Sequence, residues 1–170
     1  MYSQVFNAGS QYSIHGEAAF CSMSPIDFKQ HFQPSIRVQL DWNKFAASCR
    51  AIDVVYFSMP GSKSLIFTPW YASQDGGPCR FSDAGAVPQS LAMVAQNKRL
   101  LSHYKIKGTP PKETALVIPA YRLPGDAILL LDGNHRCVSY VLAESNVGLF
   151  VAAINGPIDR RILPDLVHWE

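Results

Sequence analysis

Between an apolar run, Leu129-Leu130-Leu131, and an amphipathic one beginning at Cys137, the chain places Asp132, Gly133, Asn134, His135 and Arg136 in succession. At a strand-to-helix junction these residue types suit the binding of an oxyanion. The first N–H groups of a helix have no partner inside it, and its peptide dipoles sum to roughly half a positive charge at that end. An anion arriving there meets donors already aimed at it. Gly133 lets the main chain approach closely, and the planar, permanently charged guanidinium of Arg136 adds a fork that grips phosphate. For phosphoryl chemistry, Arg136 would hold the phosphate, Gly133 and Asn134 would offer main-chain donors, and His135 would supply a proton or a second contact. Asp132 could hold a divalent metal through water, although Asp126 and Glu144 are the only other carboxylates near it in sequence. A purely structural alternative has Asp132 capping the helix and Arg136 pairing with a surface acid.

The elements that must position this corner are legible on both sides of it. Residues 127–131 and, upstream, Val117-Ile118-Pro119-Ala120-Tyr121 read as paired strands. Cys137, Val138, Val141 and Leu142 recur at helical spacing, so the following helix packs on the sheet with Arg136 outside the apolar stripe. Cys137 reads as a small core residue, and Leu149 to Ile154 as a further strand.

With this context the Asp132-to-Arg136 stretch resembles the signature of the ParB/sulfiredoxin superfamily, over about residues 114 to 156. The resemblance implies an α+β fold with a small mixed sheet flanked by helices. It also implies a nucleotide-binding phosphohydrolase acting on ATP or CTP, with Mg2+, or on DNA. Asp132, His135 and Arg136 would be the catalytic residues and Gly133, Asn134 and Arg136 the nucleotide contacts. Asn134 stands where sulfiredoxins have their cysteine nucleophile, so sulfinic acid reduction is not expected. The short tail from Gly156 to Glu170 leaves no room for the helix-turn-helix region of partition proteins, which makes the chain similar to stand-alone, plasmid-encoded fertility inhibitors. The partners implied are nucleotide, DNA and a component of a conjugation or secretion machinery. A different class of function is a non-catalytic adaptor that binds nucleotide or DNA and blocks its partner by protein–protein contact.

Bulk composition sets the frame. The 170 residues are 48% hydrophobic, enough for one domain with a core, and the formal net charge of +2 requires any basic footprint to be local. Four cysteines, at 21, 49, 79 and 137, show no metal-ligand spacing and suggest reduced thiols. Met1 to Ser10 has no basic residue and no apolar core, so a cytoplasmic protein without a membrane span is expected.

Elsewhere, residues 1–34 read as an irregular arm and 35–170 as the domain. Ser35 to Leu40 alternates like a strand, and Asp41 suits the N-cap of a helix over 42–51 with Trp42, Phe45, Ala46 and Cys49 on one stripe. Residues 53–57 and 64–68 read as a hairpin about the Met59-Pro60-Gly61-Ser62 turn, followed by a long loop over 69–85. Trp70, Tyr71 and Phe81 beside that loop could stack on a base or belong to the core. Pro88 suits the start of one helix to Tyr104, with Leu91, Val94, Ala95, Leu101 and Lys98 on one stripe. Lys98, Arg99, His103, Lys105, Lys107 and Lys112 then form a basic cluster. It is either a solvated helix end or a DNA track through Lys98, Arg99, Lys105 and Lys107.

Overall fold

The computed structural model describes residues 21–49, 52–59, 61–109, 112 and 115–170. Strands β1 (Cys21–Met23), β2 (Ile52–Met59), β3 (Ile66–Ala72), β4 (Pro78–Cys79), β5 (Val87–Ser90), β6 (Ala115–Arg122), β7 (Ile128–Leu130) and β8 (Val147–Ile154) form one mixed eight-stranded sheet. Its order is β1-β2-β8-β6-β7-β3-β4, with β5 also on β3. The centre is a parallel pair, β6 beside β8 from Ala115↔Gly148 to Tyr121↔Ile154, and β2 covers the other side of β8 antiparallel.

Successive strand residues point to opposite faces, and both faces here are buried. Val151, Ala153, Ile118, Ala120 and Leu130 join one core, while Ala152, Ile154, Tyr121 and Leu129 join the other. The first core is closed by α3 (Leu91–Gln96), α4 (Lys98–His103) and α5 (Asn134–Leu142). The second is closed by α1 (Pro25–Phe32), α2 (Trp42–Ser48) and a 3-10 helix (Pro164–His168). The fold is therefore α+β, as expected, but its sheet is large. Among the described residues no helix is long and apolar enough to cross a membrane.

The structure corrects several sequence expectations. The irregular arm does not extend through residues 21–34. β1 pairs with β2, and α1 is set by the Ser24 cap, whose hydroxyl accepts from the Asp27 N–H, and carries Phe28 and Phe32 into the core. Burying such rings contributes about 1.5–3 kcal/mol each. Residues 1–20 lie outside the described part. The alternation over 35–40 is no strand: Ile36 and Leu40 turn inward from an irregular connection with a turn at Ser35 and a bend at Val38. Asp41 does cap α2, accepting from the Asn43 and Lys44 N–H groups, but the helix ends at Ser48 and Ala46 is exposed.

β2 and β3 do not form a hairpin, because β8, β6 and β7 lie between them in the sheet. Residues 69–85 are mainly loop, as expected, but β3 takes 69–72 and β4 takes 78–79. β3 runs on through Pro69 because its register against β5 slips between Thr68 and Tyr71, a bulge that tolerates a residue without an N–H. Pro88 lies in β5, and the long helix is two short ones: Ser90 caps α3, and Asn97 breaks the run by accepting from the Arg99 and Leu100 N–H groups to start α4. The break takes Lys98 off the apolar stripe and into solvent.

Candidate functional site

β7 is three fully buried residues, and the main chain extends its pairing one step further, Leu131 N–H donating to the Pro119 carbonyl at 2.9 Å. The chain must then leave the sheet sharply. Gly133 does this in the left-handed region, at φ 78°, ψ 9°, and the Cβ of any other residue would lie 2.8 Å from Ile118 Cγ2. α5 starts at once, its first internal bond running from Cys137 N–H to the Gly133 carbonyl, 3.0 Å. No side chain caps it. Asp132 therefore does not play the capping part that a purely structural reading gave it. The N–H groups of the first turn are left to an incoming acceptor.

Arg136 folds back over this end. Its Nη2 is 3.5 Å from the position a Gly133 Cβ would take and 3.9 Å from Asp132 Oδ2, a long ion pair with both side chains partly open to solvent. Asn134 lines the same place, and its Oδ1 is shielded from solvent and unpartnered. Residues 132–136 all border one hollow of about 490 Å³, within the range of small-ligand sites.

The hollow draws its walls from both layers. Arg37, between α1 and α2, and Asp165, on the 3-10 helix, come from one side, while α5 comes from the other. Trp70 and Phe81 also border it, whereas Tyr71 is buried and turns its hydroxyl to Asp165 Oδ1, 2.7 Å. Trp70 stacks on Tyr104 with centroids 4.0 Å apart and takes the edge of His135 at 5.2 Å. Trp70 and Tyr71 are thus core rings, and Phe81 is the aromatic more open to a ligand.

His135 is held as well as placed. Its Nε2 is 3.2 Å from the Tyr104 carbonyl oxygen. A carbonyl only accepts, so Nε2 carries the hydrogen and Nδ1 of the neutral ring is the acceptor. Cys137, one residue past Arg136, is fully buried, and burial pushes its thiol up to about 12, as expected of a core residue and not of a nucleophile. Among the described residues no group of three or more His, Cys, Asp or Glu could hold a metal ion.

The basic cluster is divided. Ser139 donates to the Lys107 carbonyl, 2.8 Å, and Tyr104 meets His135, so the segment bearing Lys105 and Lys107 is pinned along α5 beside the corner. Arg99 points elsewhere, giving Asp75 in the β3–β4 turn hydrogen bonds of 2.9 Å to both carboxylate and carbonyl. That turn's Ser73 hydroxyl, foremost, and Arg99 hold the Asp75 carboxyl well below the usual range. Lys98, Lys105 and Lys107 remain exposed. Asp159 and Arg161 pair with each other, so the basic tail is locally neutralised.

Asp165, like Arg37, is a site residue that sequence reasoning missed, since nothing near it in sequence marks an isolated carboxylate in a C-terminal tail. Burial raises its carboxyl above the usual range, opposed by the hydrogen bond from Tyr71 and the field of His168. The folded protein then keeps this proton to higher pH than the unfolded chain, so the stability it contributes is present at low pH and lost as pH rises through the folded value. Asp165→Asn keeps an acceptor for Tyr71 and removes the charge. Its stability relative to the wild type should rise as pH is raised above the ordinary aspartate value of about 4, measured by urea unfolding at increasing pH. A difference that stays constant with pH would show that the carboxyl titrates alike in both states.

No protein-family model, curated protein or solved structure matches this chain, and the corner between β7 and α5 is read from its own geometry.

Proposed function

We propose that the β7–α5 corner binds the phosphates of a nucleotide, ATP or CTP, and that the protein hydrolyses phosphoester bonds there with DNA as a second ligand. One observation carries this reading: an uncapped helix N-terminus, the Arg136 guanidinium folded over it and the ring of Phe81 converge on one hollow. Each part answers a different portion of a nucleotide. The free N–H groups of α5 and the Arg136 fork face the phosphates, with Arg37 as a second cation across the hollow. Phe81 offers a face to the base, and Asp165 an acceptor for a ribose hydroxyl or a base amino group.

For hydrolysis, Nδ1 of His135 is the nitrogen able to take a proton from an attacking water, and Asp132 can orient that water. Arg136 and the helix end stabilise charge developing on the phosphoryl oxygens. The corner has one carboxylate of its own, Asp132, so a magnesium ion would arrive on the nucleotide's phosphates rather than in a protein cage. Exposed Lys98, Lys105 and Lys107 suit contacts with a DNA backbone.

The attachment of His135 to Tyr104 favours a second reading, an adaptor that binds nucleotide or DNA without turnover and blocks a component of a conjugation or secretion machinery by contact. Phosphate release from ATP and CTP with magnesium, with and without DNA, separates the two. Under the hydrolase reading the wild type turns over and Arg136→Ala loses at least about 100-fold in rate, the scale of removing one preorganised donor. Saturable binding with no turnover would overturn hydrolysis and leave the adaptor.

A further inference from the structure

β6 and β8 are parallel neighbours that end together, Tyr121 opposite Ile154, and the chain leaves the sheet beyond both. The crevice past the carboxyl ends of parallel strands is a place where ligands reach main chain and side chain together. Here it is a hollow of about 370 Å³ bordered by Arg122, Ser48, Asn155 and Gly156, with Leu123 and Ile158 as apolar walls. It shares no residue with the hollow at the β7–α5 corner.

One of its polar groups is a donor lacking an acceptor. Arg99, Arg136, Arg160 and Arg161 each pair with a carboxylate, but Arg122, like the more exposed Arg37 and Arg80, forms no ion pair among the described residues. Its Nε is shielded from solvent and has no hydrogen-bond partner there. Leaving such a donor unmet is costly, and more so for a charged group. Three acceptors of the adjoining segments are already engaged. Asp53 accepts from the Asn155 side chain, Asp159 is held by Arg161, and the Pro157 carbonyl accepts from Tyr121 at 2.8 Å. Gly156 keeps the wall open on that side, because a Cβ there would collide with the Tyr121 hydroxyl.

We propose that this hollow is a second ligand site, in which Arg122, assisted by the Ser48 hydroxyl, binds an oxyanion, a phosphate or carboxylate carried by a small molecule. A planar guanidinium presents Nε and one Nη as parallel donors, the geometry that matches two oxygens of such a group. The inference stands apart from the nucleotide corner and does not depend on it.

The test is a titration of the isotopically labelled full chain with inorganic phosphate at constant ionic strength, followed by NMR at the arginine Nε–H groups and the backbone amides. The Arg122 Nε–H and Gly156 amide signals should move together and saturate. Arg122→Gln should weaken that binding about tenfold or more, and Ser48→Ala about threefold, the scales of a charge-assisted and a neutral hydrogen bond. A parallel acetate titration identifies the source: tighter phosphate binding points to a phosphorylated ligand, equal binding to a carboxylate-bearing one. Shifts confined to residues 132–136, linear shifts without saturation, or wild-type affinity in Arg122→Gln would each overturn the site.

Discussion

Gly133→Ala is expected to destabilise the protein by about 2–5 kcal/mol, from a left-handed penalty of about 1–2 and an overpacking penalty of about 1–3. The two costs have separate origins at one position. The backbone at φ 78° is one that residues with a Cβ rarely adopt, and the added methyl would meet Ile118 Cγ2 at 2.8 Å. Ile118 cannot withdraw, since it is fully buried on β6 between β8 and β7. Urea unfolding measures the loss, and thermal unfolding should follow at about 2–4 °C per kcal/mol for a chain of this size. Gly133→Asn divides the two causes. Asparagine tolerates the left-handed region but still carries the Cβ, so it should recover at most the backbone part, about 1–2 kcal/mol, and leave the overpacking cost. Full recovery by asparagine would place the whole cost in the backbone and remove the contact with Ile118 from the account.

What the sequence disclosed follows from how local each signal is. β6 and the run from β7 through α5 were legible because unbroken apolar strands, a glycine turn and a helical stripe lie consecutively between residues 115 and 142. The Asp41 cap was legible for the same reason, a side chain acting on N–H groups two and three residues away. Pairing was not legible. The turn at residues 61–65 looks like a hairpin, yet β2 pairs with a strand starting at Val147 and β3 with one starting at Ile128. Such partners are chosen by burial on both faces of the sheet, which no short window contains. Pro88 misled in another sense, since it reads as the first turn of a helix and lies in β5 beside the β3–β5 bulge. At the site, residues 132–136 were contiguous and could be named, and their joint border on one hollow agrees with that grouping. Arg37 and Asp165 reach the hollow only through the packing of the second layer, and Arg99 left the basic cluster because Asp75 in a distant turn competes for it.

Arg136→Ala is expected to have the largest effect on ligand binding and a small one on folding. The guanidinium is partly exposed, and its ion pair with Asp132 spans 3.9 Å, so its removal should cost about 0–1 kcal/mol of stability. Against a phosphate the same group supplies parallel charge-assisted hydrogen bonds, each about 1.5–3 kcal/mol, so their loss should weaken binding about 10- to 100-fold or more. Arg136→Lys keeps the charge without the fork and should fall between. Calorimetric titration of ATP and CTP into the wild type and Arg136→Ala is the most direct measurement. The account predicts saturable binding of at least one nucleotide by the wild type and a loss of about tenfold or more in the variant, with unfolding curves that nearly superimpose. Equal affinity in the two proteins, or no binding of either nucleotide to the wild type, would contradict a phosphate-binding corner at residues 132–136.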